Sequence, residues 1–194
     1  MFLVRHGESE LSARGLVAGR ADISCPLSER GIVQARALAR ELAGEEIHLC
    51  VTSELERTRE TAELLLAGRA VPRIALRELN DPLYGDYEGG PLDAYLAWAH
   101  ANDSITEPPG GGEARRVIVS RYARGFRAIL ERPERVVLVV THSLPIAYVL
   151  LALAGRDPAR RVPLIEYAKP HVLVRAELGR AVARLDAWHA APTW

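Results

Sequence analysis

Arg5-His6-Gly7-Glu8 follows directly on the apolar Phe2-Leu3-Val4. A short strand ending there delivers a guanidinium and an imidazole to one point at the C-terminal edge of a sheet, where open α/β sheets bind ligands. A guanidinium beside an imidazole suits the holding of a phosphoryl group while a ring nitrogen attacks it. Three more places repeat the pattern of polar residues at an expected strand end. Ser53 with Arg57 and Arg59 follows Thr52; Asn80-Asp81-Pro82-Leu83-Tyr84-Gly85 follows a third apolar run; Thr141-His142-Ser143 closes the fourth. Arg57 would sit in the first turn of a helix, where free N–H groups already favour an anion. Each piece has an ordinary reading by itself. A lone histidine at a strand end is usually a hydrogen-bonded structural residue, Arg57 and Arg59 could pair with Glu56, Glu60 or Glu63 on a solvated face, Asp81 before proline makes turns, and Tyr84 and Tyr87 pack. Joint occurrence at four strand ends is what those readings explain poorly.

The elements that must position these residues are legible as alternating strands and helices. Phe2–Val4, His48–Thr52, Arg73–Leu76 and Val136–Thr141 read as strands, the last β-branched and apolar on both faces as a covered central strand should be. Ser28 caps a helix to about Ala43 with Ile32, Ala35, Leu38 and Leu42 on one face, and Ser53-Glu54-Leu55-Glu56 is a capping-box pattern for a helix through Leu66. Further helices are expected over Glu113–Glu131 and Ser143–Ala154. The stretch from Gly90 to Gly112, opened by Pro91 and closed by Pro108-Pro109-Gly110-Gly111-Gly112, reads as a lid-like insertion carrying a short helix over Leu92–Ala101. His171–Glu177 and Ala181–Trp188, flanking Leu178-Gly179-Arg180, read as a hairpin joining the sheet edge. The expected fold is therefore an α/β domain over 1–194, a three-layer α/β/α sandwich whose mostly parallel mixed sheet has an antiparallel edge. Right-handed crossovers bring its strand ends to one side.

Composition narrows the function classes. The chain has 194 residues and a formal net charge of +0, so no global field draws nucleic acid or an anionic membrane. Any anion site must be local. No apolar run reaches membrane-spanning length, and no leader-like segment precedes Phe2, which points to a cytoplasmic protein. Cys25 and Cys50 lack metal-like spacing and are expected as reduced thiols.

Arg5-His6-Gly7-Glu8-Ser9-Glu10, Leu27-Ser28 with Gly31 and Gln34-Ala35, Ser53 with Arg57-Thr58 and Thr61-Ala62, Tyr84-Gly85 with Glu88-Gly89, and Val140-Thr141-His142 together resemble the histidine phosphatase superfamily, which includes cofactor-dependent phosphoglycerate mutases. The resemblance implies that His6 takes the phosphoryl group. It implies that Arg5, Arg57, His142 and the backbone N–H of Ser143 hold the phosphate oxygens, and that a carboxylic acid protonates the leaving alcohol. Asp81 stands at the family's acid position counted back from Tyr84-Gly85, with Glu78 as the rival. Ser12 replaces a frequent asparagine and offers a shorter reach to substrate. No metal or cofactor is implied.

No Arg or Lys occurs from Glu78 through Ala114, whereas Tyr84, Tyr87, Tyr95 and Trp98 do, which favours an apolar or neutral leaving group unless Arg14, Arg20, Arg115 or Arg116 folds in. The expected activity is a metal-independent phosphatase on a small-molecule phosphomonoester. Phosphoglycerate mutase activity and a non-catalytic phospho-ligand module are the alternatives. A second copy of the chain is the one protein partner left open.

Overall fold

The computed structural model describes residues 1–194. Five strands, β1 (Phe2–Arg5), β2 (Leu49–Thr52), β3 (Arg73–Ala75), β4 (Val137–Thr141) and β5 (Pro170–Val172), form one sheet in the order β3-β2-β4-β1-β5. All neighbours are parallel except β5, which runs antiparallel to β1. The central β4 is buried at every residue, as its two-faced apolar sequence requires.

Seven α-helices accompany the sheet: α1 (Glu10–Ala13), α2 (Glu29–Glu41), α3 (Glu56–Leu65), α4 (Leu92–Ala101), α5 (Arg115–Leu130), α6 (Ser143–Leu153) and α7 (Arg175–Ala190). On one face, Leu38 and Leu42, at and just beyond the end of α2, and Ala62 and Leu65 of α3 pack on Phe2, Val4, Cys50, Leu138 and Val140. On the other, α5, α6 and α7 pack on Leu3, Leu49, Val51, Val137 and Val139. Alternation along each strand thus feeds two cores, giving the expected three layers. Cys25 and Cys50 are buried free thiols. No helix is long and apolar enough to cross a membrane.

Two local expectations are corrected. Residues 175–190 are a helix, not the second half of a hairpin. Leu178, Ala181, Val182, Leu185 and Trp188 recur at helical spacing and are all buried. As a strand the segment would expose alternate members of that set, each large one worth about 1.5–3 kcal/mol when buried. The Glu177 carboxylate accepts the Val174 N–H at 2.9 Å and starts the helix, and Gly179 is tolerated inside it. The second correction concerns Ser53. Helix α3 starts at Glu56 with Leu55 at the cap, and no capping box forms, because the Glu56 carboxylate turns to Ser24 Oγ and the Cys25 N–H. Ser53 instead lies beneath a histidine.

Candidate active site

His6, Ser53 and His142 are each the first residue beyond a strand, and those strands, β1, β2 and β4, are neighbours in register. The parallel arrangement therefore places three side chains from distant parts of the chain at one edge. Gly7 lets the chain leave β1 against α2: a Cβ there would meet the Gly31 carbonyl oxygen at 2.5 Å. Its N–H donates to Thr61 Oγ1 at 3.0 Å, fastening the turn to α3.

His6 is 2 % exposed and His142 is fully buried, with ring centroids 5.1 Å apart. His6 Nδ1 lies 2.6 Å from the Gly7 carbonyl, which can only accept, so Nδ1 carries the proton and the lone pair is on Nε2. That lone pair points at a cation: Arg57 Nε is 3.2 Å away. Arg57, 3 % exposed, also donates through Nη2 to Asp81 Oδ2 at 2.6 Å and to the Ala18 carbonyl at 2.9 Å, with His142 Nδ1 at 3.3 Å. Arg5 donates to the Ile165 carbonyl at 2.6 Å and stacks 3.6 Å above the Tyr167 ring, while its Nε is buried without an acceptor. Arg5, Arg57 and His6 thus line one part of a cavity, with His142 fully buried against Arg57 and Arg5 Nε left without an acceptor.

Burial, then the Arg57 and Arg5 charges, hold the His6 imidazole well below its ordinary value, and His142 is lowered by burial and by Arg57. Both rings are neutral at physiological pH. For Asp81 two influences oppose. The ion pair with Arg57 favours the carboxylate, burial favours the acid, and burial prevails, raising it. A neutral ring nitrogen beside a carboxyl poised to hold its proton is the pairing that nucleophilic phosphoryl transfer with acid assistance needs.

The nitrogens and oxygens of His6, Asp81 and His142 approach within 4.8 Å of one another, a spacing a metal ion could use. Arg57 is hydrogen-bonded to all three, so its guanidinium already holds the position a cation would take. The cavity beside it is lined by Arg5 and Arg57 as well as Asp81, and the two guanidinium groups favour an anion there.

Of the two acids weighed from sequence, the fold brings in Asp81 alone. Glu78 lies on a single-turn 3₁₀ helix (Arg77–Leu79), with its Cβ against Gly125 of α5, outside the cavity walls. Arg121, which no motif marked, secures the acid's loop: Nη1 donates to the Glu78 and Asn80 carbonyls at 3.0 and 2.9 Å, and Nη2 to the Glu113 carboxylate. Ser53 Oγ sits 2.9 Å from His142 Nε2 and 2.9 Å from Thr58 Oγ1, a buried relay that sets the ring's orientation. Ser12 and Tyr84 line the cavity. Ser143 does too, but its hydroxyl is committed to the Ile165 N–H, leaving its backbone N–H at the start of α6 for a ligand. Arg115, one of the four arginines that the sequence left able to fold in, lines the cavity, and Tyr167, against Arg5, was missed. Tyr167 lies in a segment without periodicity, and nothing in the local sequence marks it.

The sequence pattern of the histidine phosphatase superfamily (branch 1) matches residues 1–189. The chain belongs to this superfamily. Among its relatives is the adenosylcobalamin/alpha-ribazole phosphatase of Salmonella typhimurium, 38 % identical over 143 residues, covering 70 % of this chain and 63 % of that protein. A 2,3-bisphosphoglycerate-dependent phosphoglycerate mutase of Methylobacterium sp. is 35 % identical over 169 residues, covering 80 % of each. The crystal structure of the alpha-ribazole phosphatase from Shigella flexneri superposes with a TM-score of 0.70 at 31 % identity, covering 80 % of each chain. This superfamily member therefore has named phosphatases and named mutases among its relatives, and it spans less than two thirds of the Salmonella relative's length.

Proposed function

We propose that the chain is a metal-independent phosphatase that hydrolyses small phosphomonoesters through a phosphohistidine at His6. The observation that carries this is the His6 Nε2 lone pair, exposed by the Nδ1–Gly7 bond and aimed at a buried guanidinium beside Asp81. In this reading an incoming phosphate dianion draws Arg57, Arg5, the Ser143 N–H and His142 to its oxygens. Arg57 then no longer neutralises Asp81, and the dianion adds a like charge nearby. Both changes raise Asp81 further, so it holds the proton it gives to the departing alcohol. His6 Nε2 forms the bond to phosphorus as the ester oxygen leaves with that proton. Asp81, now a carboxylate, removes a proton from water, whose oxygen takes the phosphoryl group and frees His6. Once phosphate has drawn Arg57 from His142 Nδ1, Ser53 donates to His142 Nε2 and the ring carries its proton on Nδ1, where it donates to phosphate. The reaction is placed in the cytoplasm.

The similarity to the Methylobacterium mutase supports a second reading, transfer of the same phosphoryl group to another alcohol instead of water. Turnover of α-ribazole phosphate, sugar phosphates, nucleotides, 4-nitrophenyl phosphate and 3-phosphoglycerate, with and without 2,3-bisphosphoglycerate, separates the two. Release of inorganic phosphate from the esters, outrunning phosphoglycerate isomerisation, is the expected result. Bisphosphoglycerate-stimulated isomerisation that exceeds every hydrolysis would replace the phosphatase reading with the mutase.

A further inference from the structure

The cavity that holds Arg5, His6, Arg57 and Asp81 is also lined by Leu92, Leu96, Leu144 and Leu164 and by Arg115. This arginine is 5 % exposed and has no carboxylate partner. Its Nη1 donates to Tyr148 Oη at 2.9 Å, while its Nε is buried without an acceptor. The neighbours that act on its charge are the phenols of Tyr148, Tyr95 and Tyr122. Glu113, two residues earlier, is taken by Arg121. Arg115 also opens the sixteen-residue α5, where the helix dipole disfavours a cation. A guanidinium does not escape by losing its proton. A buried, unpaired charge is costly, and the Tyr95 ring 6.0 Å from it compensates only in part. Tyr95 Oη, which also lines the cavity, is buried with no polar neighbour but the Arg115 guanidinium.

We infer that Arg115 and Tyr95 form a second oxyanion subsite, which receives the alcohol half of the substrate. The preferred phosphomonoester then carries a further carboxylate or phosphate at a fixed reach from the ester. Tyr84, three residues beyond Asp81, meets Tyr95 edge to face with 4.6 Å between centroids, and both line the one cavity. The inference rests on the phosphatase reading and alters no bond-making step. It also revises the expectation of a leaving group without charge, because Arg115 folds in.

Three ester series of matched chain length test it: n-alkyl phosphates, ω-carboxyalkyl phosphates and alkane-α,ω-bisphosphates. At one chain length the kcat/KM of a charged series should exceed that of the n-alkyl ester by about tenfold or more. Whichever charged series peaks identifies the oxyanion. Arg115→Gln should flatten the peak and Arg115→Lys should keep part of it. Because Arg115 is buried, the length dependence of the unmodified protein stands as a test by itself. Equal hydrolysis of all three series at every length overturns this inference alone and makes Arg115 a structural residue held by tyrosines. Hydrolysis of none overturns the phosphatase reading with it.

Discussion

Asp81→Asn keeps the shape of the side chain and an oxygen for Arg57, and removes the proton that can be transferred. General acid–base catalysis contributes about 10²–10⁴ in rate, which is about 2.7–5.4 kcal/mol at 1.36 kcal/mol per decade. Two features of the site place the loss toward the upper end. Glu78 lies outside the cavity and cannot substitute, and both Glu88 oxygens accept backbone N–H groups, from Gly19 at 2.9 Å and Tyr84 at 3.1 Å. The leaving group then divides the outcome. An alkoxide needs the proton, so n-alkyl phosphate hydrolysis should fall by about three to four decades. Nitrophenolate leaves without it, so 4-nitrophenyl phosphate should still phosphorylate His6. Water attack on the phosphohistidine, which needs Asp81 as base, should be slow. Stopped-flow absorbance of Asp81→Asn should show a burst of about one nitrophenolate per site before a slow steady state, whereas Glu78→Gln should remain within about twofold of the unmodified protein on both esters. Refolding artefacts are excluded by circular dichroism, since losing a buried ion pair costs about 3–5 kcal/mol when nothing replaces it. Unchanged alkyl phosphate hydrolysis in Asp81→Asn, or a larger loss in Glu78→Gln, refutes the acid assignment.

Ser53→Ala strips the partner from His142 Nε2 and should cost about 1–3 kcal/mol of stability. It should also lower kcat more than it changes KM, and an unaltered kcat would remove Ser53 as a positioning residue. Stability itself should depend on pH through the two buried imidazoles. Both stay neutral in the fold, so below about pH 6.5 the unfolded chain binds protons that the folded one does not. Their contribution is present above that pH and lost as pH falls, by up to about 1.36 kcal/mol per unit for each ring. Urea midpoints between about pH 7 and 5 should fall, and His6→Asn should make the fall shallower. Asp81, which is raised, acts with the opposite sign: its contribution is lost as pH rises. A midpoint that rises on acidification across that range contradicts the neutral-ring assignment.

The strand ends were legible because their residues are extreme in type: a β-branched run such as Val136–Thr141 leaves few alternatives to a covered strand, and polar residues right after it must lie at the edge. His6, Arg57, Asp81 and His142 meet for that topological reason, without any local signal that they are neighbours. Contacts that depend on side-chain direction were not legible. Ser53 matched a helix-start pattern, yet its hydroxyl serves His142. Arg121 reads as one more cation on an amphipathic helix, yet it carries the carbonyls of the Asp81 loop. The C-terminal helix was misread because Gly179 suggested a turn, while the period of Leu178, Val182 and Leu185 was the stronger signal. Tyr84 and Tyr95 face the cavity, whereas Tyr87 and Trp98 pack on Tyr95, a distinction set by the path of the loop rather than by residue type.

The covalent intermediate is the centre of the account, and it can be caught. Rapid acid-free quenching during turnover of ³²P-labelled 4-nitrophenyl phosphate, followed by peptide mapping, should find the label on His6, attached at Nε2, acid-labile and base-stable. It should accumulate in Asp81→Asn and be absent in His6→Ala. Label on another residue, or full turnover by His6→Ala, would contradict the account at its root.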